Sequence, residues 1–208
     1  MKKRTFGLDS QLLKKIERLI YPCFSLIESS LLNNTKNQFS CFVSELSGND
    51  FKAKMDSHFA GSLSQGGIYL FRIKTSESFN VTDFKADWDN SKHSIVGKRP
   101  KSNTNHNGQC IDHEQTPSNE YFLYVGSSLK VGSRIKEHFR GCVTAKSTTS
   151  LRLRCSSCKY LKDVTEIKVN YIFFDGLRDA NNKEMPIHNL CRYFESKMRH
   201  KYQTLIGE

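Results

Sequence analysis

Apolar residues recur along the chain with two different periods, and the change from one to the other predicts its elements. From residue 9 to about 35 the period is helical: Leu13, Ile16 and Ile20 share one stripe, and Asp9 or Ser10 can cap the start. Pro22 predicts two helices or a kink, because its ring removes a donor and crowds the preceding turn. Residues 33 to 37 read as a turn, and 40 to 60 are ambiguous, with a short helix as one reading. Strands follow over 67–73 and 121–125, the second ending in a turn at Gly126-Ser127-Ser128. A helix from about 129 to 139 closes at Gly141, a suitable residue just past a helix end. Residues 166–174 alternate and are rich in strand formers, which predicts a third strand. The last helix covers 188–204, with Leu190, Phe194, Met198 and Tyr202 facing inward. The order is helices, then β, an insertion, β, α, β, α, which places the chain in the α+β class.

The insertion, residues 75–119, differs in kind. Ser91-Lys92-His93, Gly97-Lys98-Arg99-Pro100-Lys101 and the asparagine-rich run over 103–108 are polar, turn-rich and partly basic. A segment this long without apolar period is functional or mobile in most proteins. The expected organisation is an N-terminal helical extension over 1–60 and a main domain over 61–208 that carries this insertion.

Charge narrows the partners. The formal net charge is +11, and residues 121–208 hold 16 Lys and Arg against 8 Asp and Glu. A basic surface favours polyanions, because neutralising phosphates releases condensed counterions. No stretch approaches the roughly 20 apolar residues of a membrane helix. The basic start Met1-Lys2-Lys3-Arg4 is not followed by an apolar signal core, so an intracellular, cytoplasmic location is expected. Seven cysteines at irregular spacing do not suit a secreted disulfide framework.

Several residues carry candidate chemistry. Helical spacing puts Arg134 and His138 on one face, while Ile135 and Phe139 form an apolar pair that anchors the helix. Arg134 offers a permanently charged fork to phosphate oxygens, and His138 can bond a phosphate or an attacking water. An ordinary amphipathic helix with a polar outer face explains the same pattern. Tyr69 and Tyr124 lie on adjacent strands if the insertion is a long hairpin excursion, and they read either as convergent phenols or as core tyrosines. Glu195 reads either as a solvated helix residue or as a ligand for Mg²⁺, which commonly takes one or two carboxylates and fills its shell with water and substrate phosphate.

Taken in order, these residues resemble the GIY-YIG nuclease family. Gly67-Ile68-Tyr69 resembles its first signature and Tyr124-Val125-Gly126 its second, with valine where the family name has isoleucine. Ser133-Arg134-Ile135-Lys136-Glu137-His138 resembles its first helix, residues 149–153 a segment before the third strand, and Glu195-Ser196-Lys197-Met198 its metal-binding helix. The resemblance covers about residues 66–208. It implies a small three-stranded antiparallel sheet flanked by helices, in β-β-α-β-α order, and hydrolysis of DNA phosphodiesters. By the same resemblance Tyr69 would be the general base or would position the attacking water, although an unperturbed phenol pKa near ~10 demands help from a nearby cation or from the metal's hydration shell. Tyr124 would orient water or phosphate, Arg134 would stabilise charge on phosphorus, and His138 would assist the nucleophile side. Glu195 would hold a single Mg²⁺ or Mn²⁺. An asparagine that many members carry after the last helix is missing from the end Thr204-Leu205-Ile206-Gly207-Glu208.

Lys98, Arg99 and Lys101 in the insertion, with Lys130 and Lys136 around the first helix of the resemblance, are the expected contacts to double-stranded DNA. The insertion cations equally suit loop solubility. Cys155 and Cys158 form a C-x₂-C pair that reads as free structural thiols, and zinc would need Cys142, His188 or Cys191 to complete a site. His93, His106 and His113 have the irregular spacing of a polar loop. The expected function is therefore a metal-dependent DNA endonuclease, a restriction-type enzyme by analogy, which would dimerise or act twice to cut both strands. The alternatives are a non-cutting nucleic-acid-binding module of the same fold and an RNA-binding or structural protein.

Overall fold

The run Gly-Ile-Tyr-Leu-Phe-Arg-Ile offers water almost no polar face, so the strand it forms needs cover on both sides. In the computed structural model, which describes residues 10–61, 64–91, 99–109, 119–140, 149–154, 159–174 and 187–207, that strand is β2 (Gly67–Thr75), second from one edge of an antiparallel sheet. β3 (Glu120–Ser128) lies on its outer side and β4 (Val164–Phe173) on its inner side, with Tyr69 opposite Gly126 and Tyr171. Ile68 and Leu70 point to one core, and Tyr69, Phe71 and Ile73 to the other.

The sheet has four strands, not the expected three. The extra one, β1 (Gln38–Phe42), pairs with β4 and completes the order β1-β4-β2-β3. It comes from the expected helical extension, at the start of the stretch that the sequence left ambiguous. Phe39 and Cys41 alternate inward along it and are buried, and five residues of alternation suffice once a neighbouring strand offers its edge. Of the two outcomes expected at Pro22, the division into two helices does not occur: α1 (Ser10–Asn33) is continuous across the proline. Phe24, Ile27 and Leu31 pack its second half onto the sheet, and tertiary burial outweighs a lost helical bond.

The remaining helices sort by face. α5 (Ile187–Tyr202) buries Cys191, Phe194, Met198 and Tyr202 beside α1. α2 (Asp50–His58) and α4 (Val131–His138) cover the opposite face through Phe51, Met55, Val131 and Ile135. The insertion contains a helix that its polar composition hid. α3 (Val81–Asn90) is capped by Asn80, which accepts from the N–H groups of Thr82 and Asp83, and it buries Phe84 and Trp88. After α5, the tail runs along the outer edge of β3: Leu205 N–H donates to the Phe122 carbonyl and Ile206 N–H to that of Leu123. The tail covers an edge that would otherwise present unpaired backbone. Among the described residues no helix is long and apolar enough to cross a membrane.

Gly67 shows how closely β2 and β4 approach. A Cβ there would run into the Ile172 carbonyl, which belongs to backbone and cannot rotate away. Gly67→Ala is therefore expected to lower unfolding free energy by about 1–3 kcal/mol, as overpacking does. Urea denaturation measures it, and an unchanged midpoint would contradict the packing described.

Candidate active site

Tyr69 projects from β2 toward α4, and the residue opposite it decides whether its ring fits. That residue is Gly126, where any Cβ would collide with the Tyr69 hydroxyl and crowd the Tyr124 ring. The glycine of the second triplet thus provides the space in which the tyrosine of the first one lies. Tyr124, two residues earlier on β3, shares that face, with its ring 6.3 Å from the Tyr69 ring.

α4 supplies the next two groups. Its start is fixed by the Lys130 N–H donating to Ser128 Oγ and the Val131 N–H to the Gln65 carbonyl. Ile135 and Phe139 bury against the sheet and set the rotation of the helix. His138 then lies fully buried behind the phenols, its Nε2 2.9 Å from Tyr69 Oη. The Leu151 backbone N–H donates to His138 Nδ1 at 3.1 Å. Nδ1 must therefore be unprotonated, so in the neutral ring Nε2 carries the proton and donates it to Tyr69. Burial, reinforced by the charges of Arg134 and Arg152, holds His138 well below the usual imidazole range and keeps it neutral. His138 is thus fully buried and bonds Tyr69 from the core side.

Residues 149–154 lace the end of α4 in place. Leu153 N–H donates to the His138 carbonyl, Ser150 Oγ to that of Glu137, and Arg134 to that of Thr149. Arg134 also pairs with Glu137 at 2.6 Å. Its guanidinium lies beside Tyr69 and favours the phenolate, against the stronger effect of burial, which pushes that phenol well above its ordinary value. Burial raises Tyr124 as well.

Glu195 reaches this group from the opposite face of the sheet, around the β3 edge. Ser127 Oγ donates to one carboxylate oxygen at 2.5 Å, and Arg199 pairs with the other at 2.6 Å. The carboxylate is near enough for its charge to oppose ionisation of both Tyr69 and Tyr124. Tyr69, Tyr124, Arg134 and His138 thus lie together on one face of β2 and β3, and Glu195 stands within electrostatic reach of both phenols, linked to Tyr124 through Arg199. A hard cation takes oxygen donors and completes its shell with water and substrate. Glu195, at 18% side-chain exposure and beside hydroxyl groups, has the donor chemistry for it.

Sequence reasoning missed Arg199. It pairs with Glu195, donates twice to the Val125 carbonyl and lies over the Tyr124 ring at 5.2 Å. The signal was the glutamate-to-arginine spacing of four on a helix. The expected DNA contacts divide. Lys101 and Lys130 are exposed, whereas Lys136 pairs with Asp56 of α2. Arg99 stacks 3.6 Å from the Trp88 ring and 4.6 Å from Tyr160 and donates to Ser91 Oγ, so its guanidinium is engaged in holding the insertion together. Lys98, Cys142, Cys155, Cys158, His93, His113, Gly141 and the His188 side chain lie outside the described residues. Cys191 is a core thiol pushed up by burial to about 11. His106 accepts from the Asn103 amide. No family model, curated protein or solved structure matches the chain.

The histidine's environment sets a pH dependence. The unfolded chain takes up a proton near 6.5, and the folded one resists it until far lower, so stability must fall as pH drops through that region. The loss attributable to His138 is up to about 1.4 kcal/mol per pH unit below its ordinary pKa. Unfolding free energies between pH 7 and 5 should decline more steeply for wild type than for His138→Gln, and parallel curves would contradict a neutral buried ring.

Proposed function

We propose that the chain is a divalent-metal-dependent DNA endonuclease that hydrolyses phosphodiester bonds, of the restriction type. The observation that carries this reading is the Tyr69 hydroxyl, held by His138 from behind, beside Arg134 and within the field of Glu195. A phenol is a poor base at neutral pH, and burial makes it poorer. Two features of the chain offset this. Nε2–H of His138 donates to the phenol oxygen and so favours the phenolate, and the Arg134 charge acts in the same direction. Tyr69 so prepared takes the proton of a water aligned with phosphorus, while Tyr124 orients that water or a phosphate oxygen.

Arg134 retains 19% side-chain exposure, enough for its fork to meet the charge that develops on the phosphoryl oxygens. Glu195 would hold Mg²⁺ or Mn²⁺, and the bound ion would supply polarisation of the phosphoryl group and stabilisation of the leaving oxygen. Arg199 must then yield the carboxylate oxygen it pairs with. The substrate is double-stranded DNA, attracted by the +11 charge. Cutting both strands implies two copies of the site, as in a homodimer, or two successive events.

Plasmid nicking with Mg²⁺ tests the roles. Glu195→Gln should abolish cleavage yet bind duplex in chelator as wild type does. Tyr69→Phe should lose on the order of 10²–10⁴-fold in rate, and Arg134→Ala on the order of 10²–10³-fold. Near-normal turnover in any of them would overturn that residue's role. A wild-type protein that binds duplex and never cuts it would point to the non-cutting module instead.

A further inference from the structure

A cavity of about 520 Å³ opens beside Glu195, on the side of α5 away from the core. Arg192, Ser196, Arg199 and His200 line it from that helix, at a spacing that puts them on one face. The facing wall is Asn103 and His106 of the insertion. That wall is built into the fold. Asn103 N–H donates to the Leu205 carbonyl at 2.8 Å, the Gly207 N–H to that of Lys101 at 3.0 Å, and the Gly108 N–H to that of Gln203 at 2.7 Å. The Asn103 amide bridges His106 Nδ1 and the Gly207 carbonyl, which leaves the proton of a neutral His106 on Nε2.

The lining is rich in donors: two guanidiniums, two imidazoles and an amide, with Glu195 as its carboxylate. Such a set suits a phosphate ester and disfavours an apolar ligand. Glu195 belongs both to this cavity and to the group around Tyr69, so a strand whose reacting phosphate lies at that group has its neighbouring nucleotide at the cavity mouth.

We propose that this cavity seats the phosphate of the nucleotide adjacent to the scissile bond, with Arg192 and His200 as its contacts and the insertion as its fixed wall. The proposal rests on the endonuclease reading for the word scissile, and binding measured without metal separates the two. Arg192 and His200 are both exposed, so replacing them leaves the core intact.

Duplex binding of the full chain in chelator, measured across a range of salt, is the test. Arg192→Ala/His200→Ala should weaken binding roughly tenfold, one charged hydrogen bond's worth, and flatten the slope of log affinity against log salt by about one phosphate. Arg192→Lys should restore most of the slope. The control Lys36→Ala, at an exposed cation elsewhere, should change neither. Wild-type affinity and slope in the double variant would overturn the proposal, as would an equal loss in the control. Weakened binding of inorganic phosphate with duplex affinity untouched would assign the cavity to a small free anion and overturn it too. Failure of wild type to cleave, with these binding effects present, would remove the endonuclease reading and leave the strand-binding cavity.

Discussion

The hydrogen bond between His138 Nε2 and the Tyr69 hydroxyl, 2.9 Å long and made by a fully buried imidazole, is the interaction on which the candidate site depends. It requires the strand, because Tyr69 must project from the middle of the sheet. It requires Gly126, because no other residue leaves room for the phenol ring. It also requires the segment after α4, because the Leu151 N–H fixes which ring nitrogen holds the proton. Three distant parts of the chain therefore converge to define one donor. In a medium of low dielectric such a donor acts strongly on the phenol.

The same edge of the sheet is approached from both sides. α4 brings Arg134 over one face, and α5 brings Glu195 and Arg199 around from the other. β3 is the strand between them, and its outer edge is closed by the returning tail. The two helices thus bring a guanidinium and a carboxylate toward the two phenols while their apolar faces stay buried. β1 and the insertion helix α3 take no part in that group. They widen the sheet and brace the wall that carries Asn103 and His106.

Much of this was legible in the sequence, and the exceptions have physical causes. The apolar run of β2, the alternation of β4 and the inward stripe of α5 state their burial directly, since period and face are one property. β1 is only five residues long, and its Phe39 and Cys41 acquire meaning only beside β4. α3 shows a stripe of two residues, Phe84 and Trp88, in a polar segment, and the cap at Asn80 was its remaining signal. Spacing put Arg134 and His138 on one side of α4 but said nothing of depth, so the imidazole was expected at the substrate and stands behind the phenol. Arg99 looked like a free cation, and its partners Trp88 and Tyr160 lie 11 and 61 residues away in the chain. Glu195 carried chemical meaning through its resemblance alone, because one carboxylate on a helix has no distinguishing pattern.

The account's central claim is that Tyr69 takes the proton while His138 stays neutral behind it. Single-turnover cleavage of duplex DNA in saturating Mg²⁺, followed from pH 5.5 to 9, tests it most directly. The predicted log rate climbs steadily with pH and shows no inflection near the ordinary histidine value. A profile that breaks near that value, and loses the break in His138→Gln, would make the imidazole the titrating base and contradict the account.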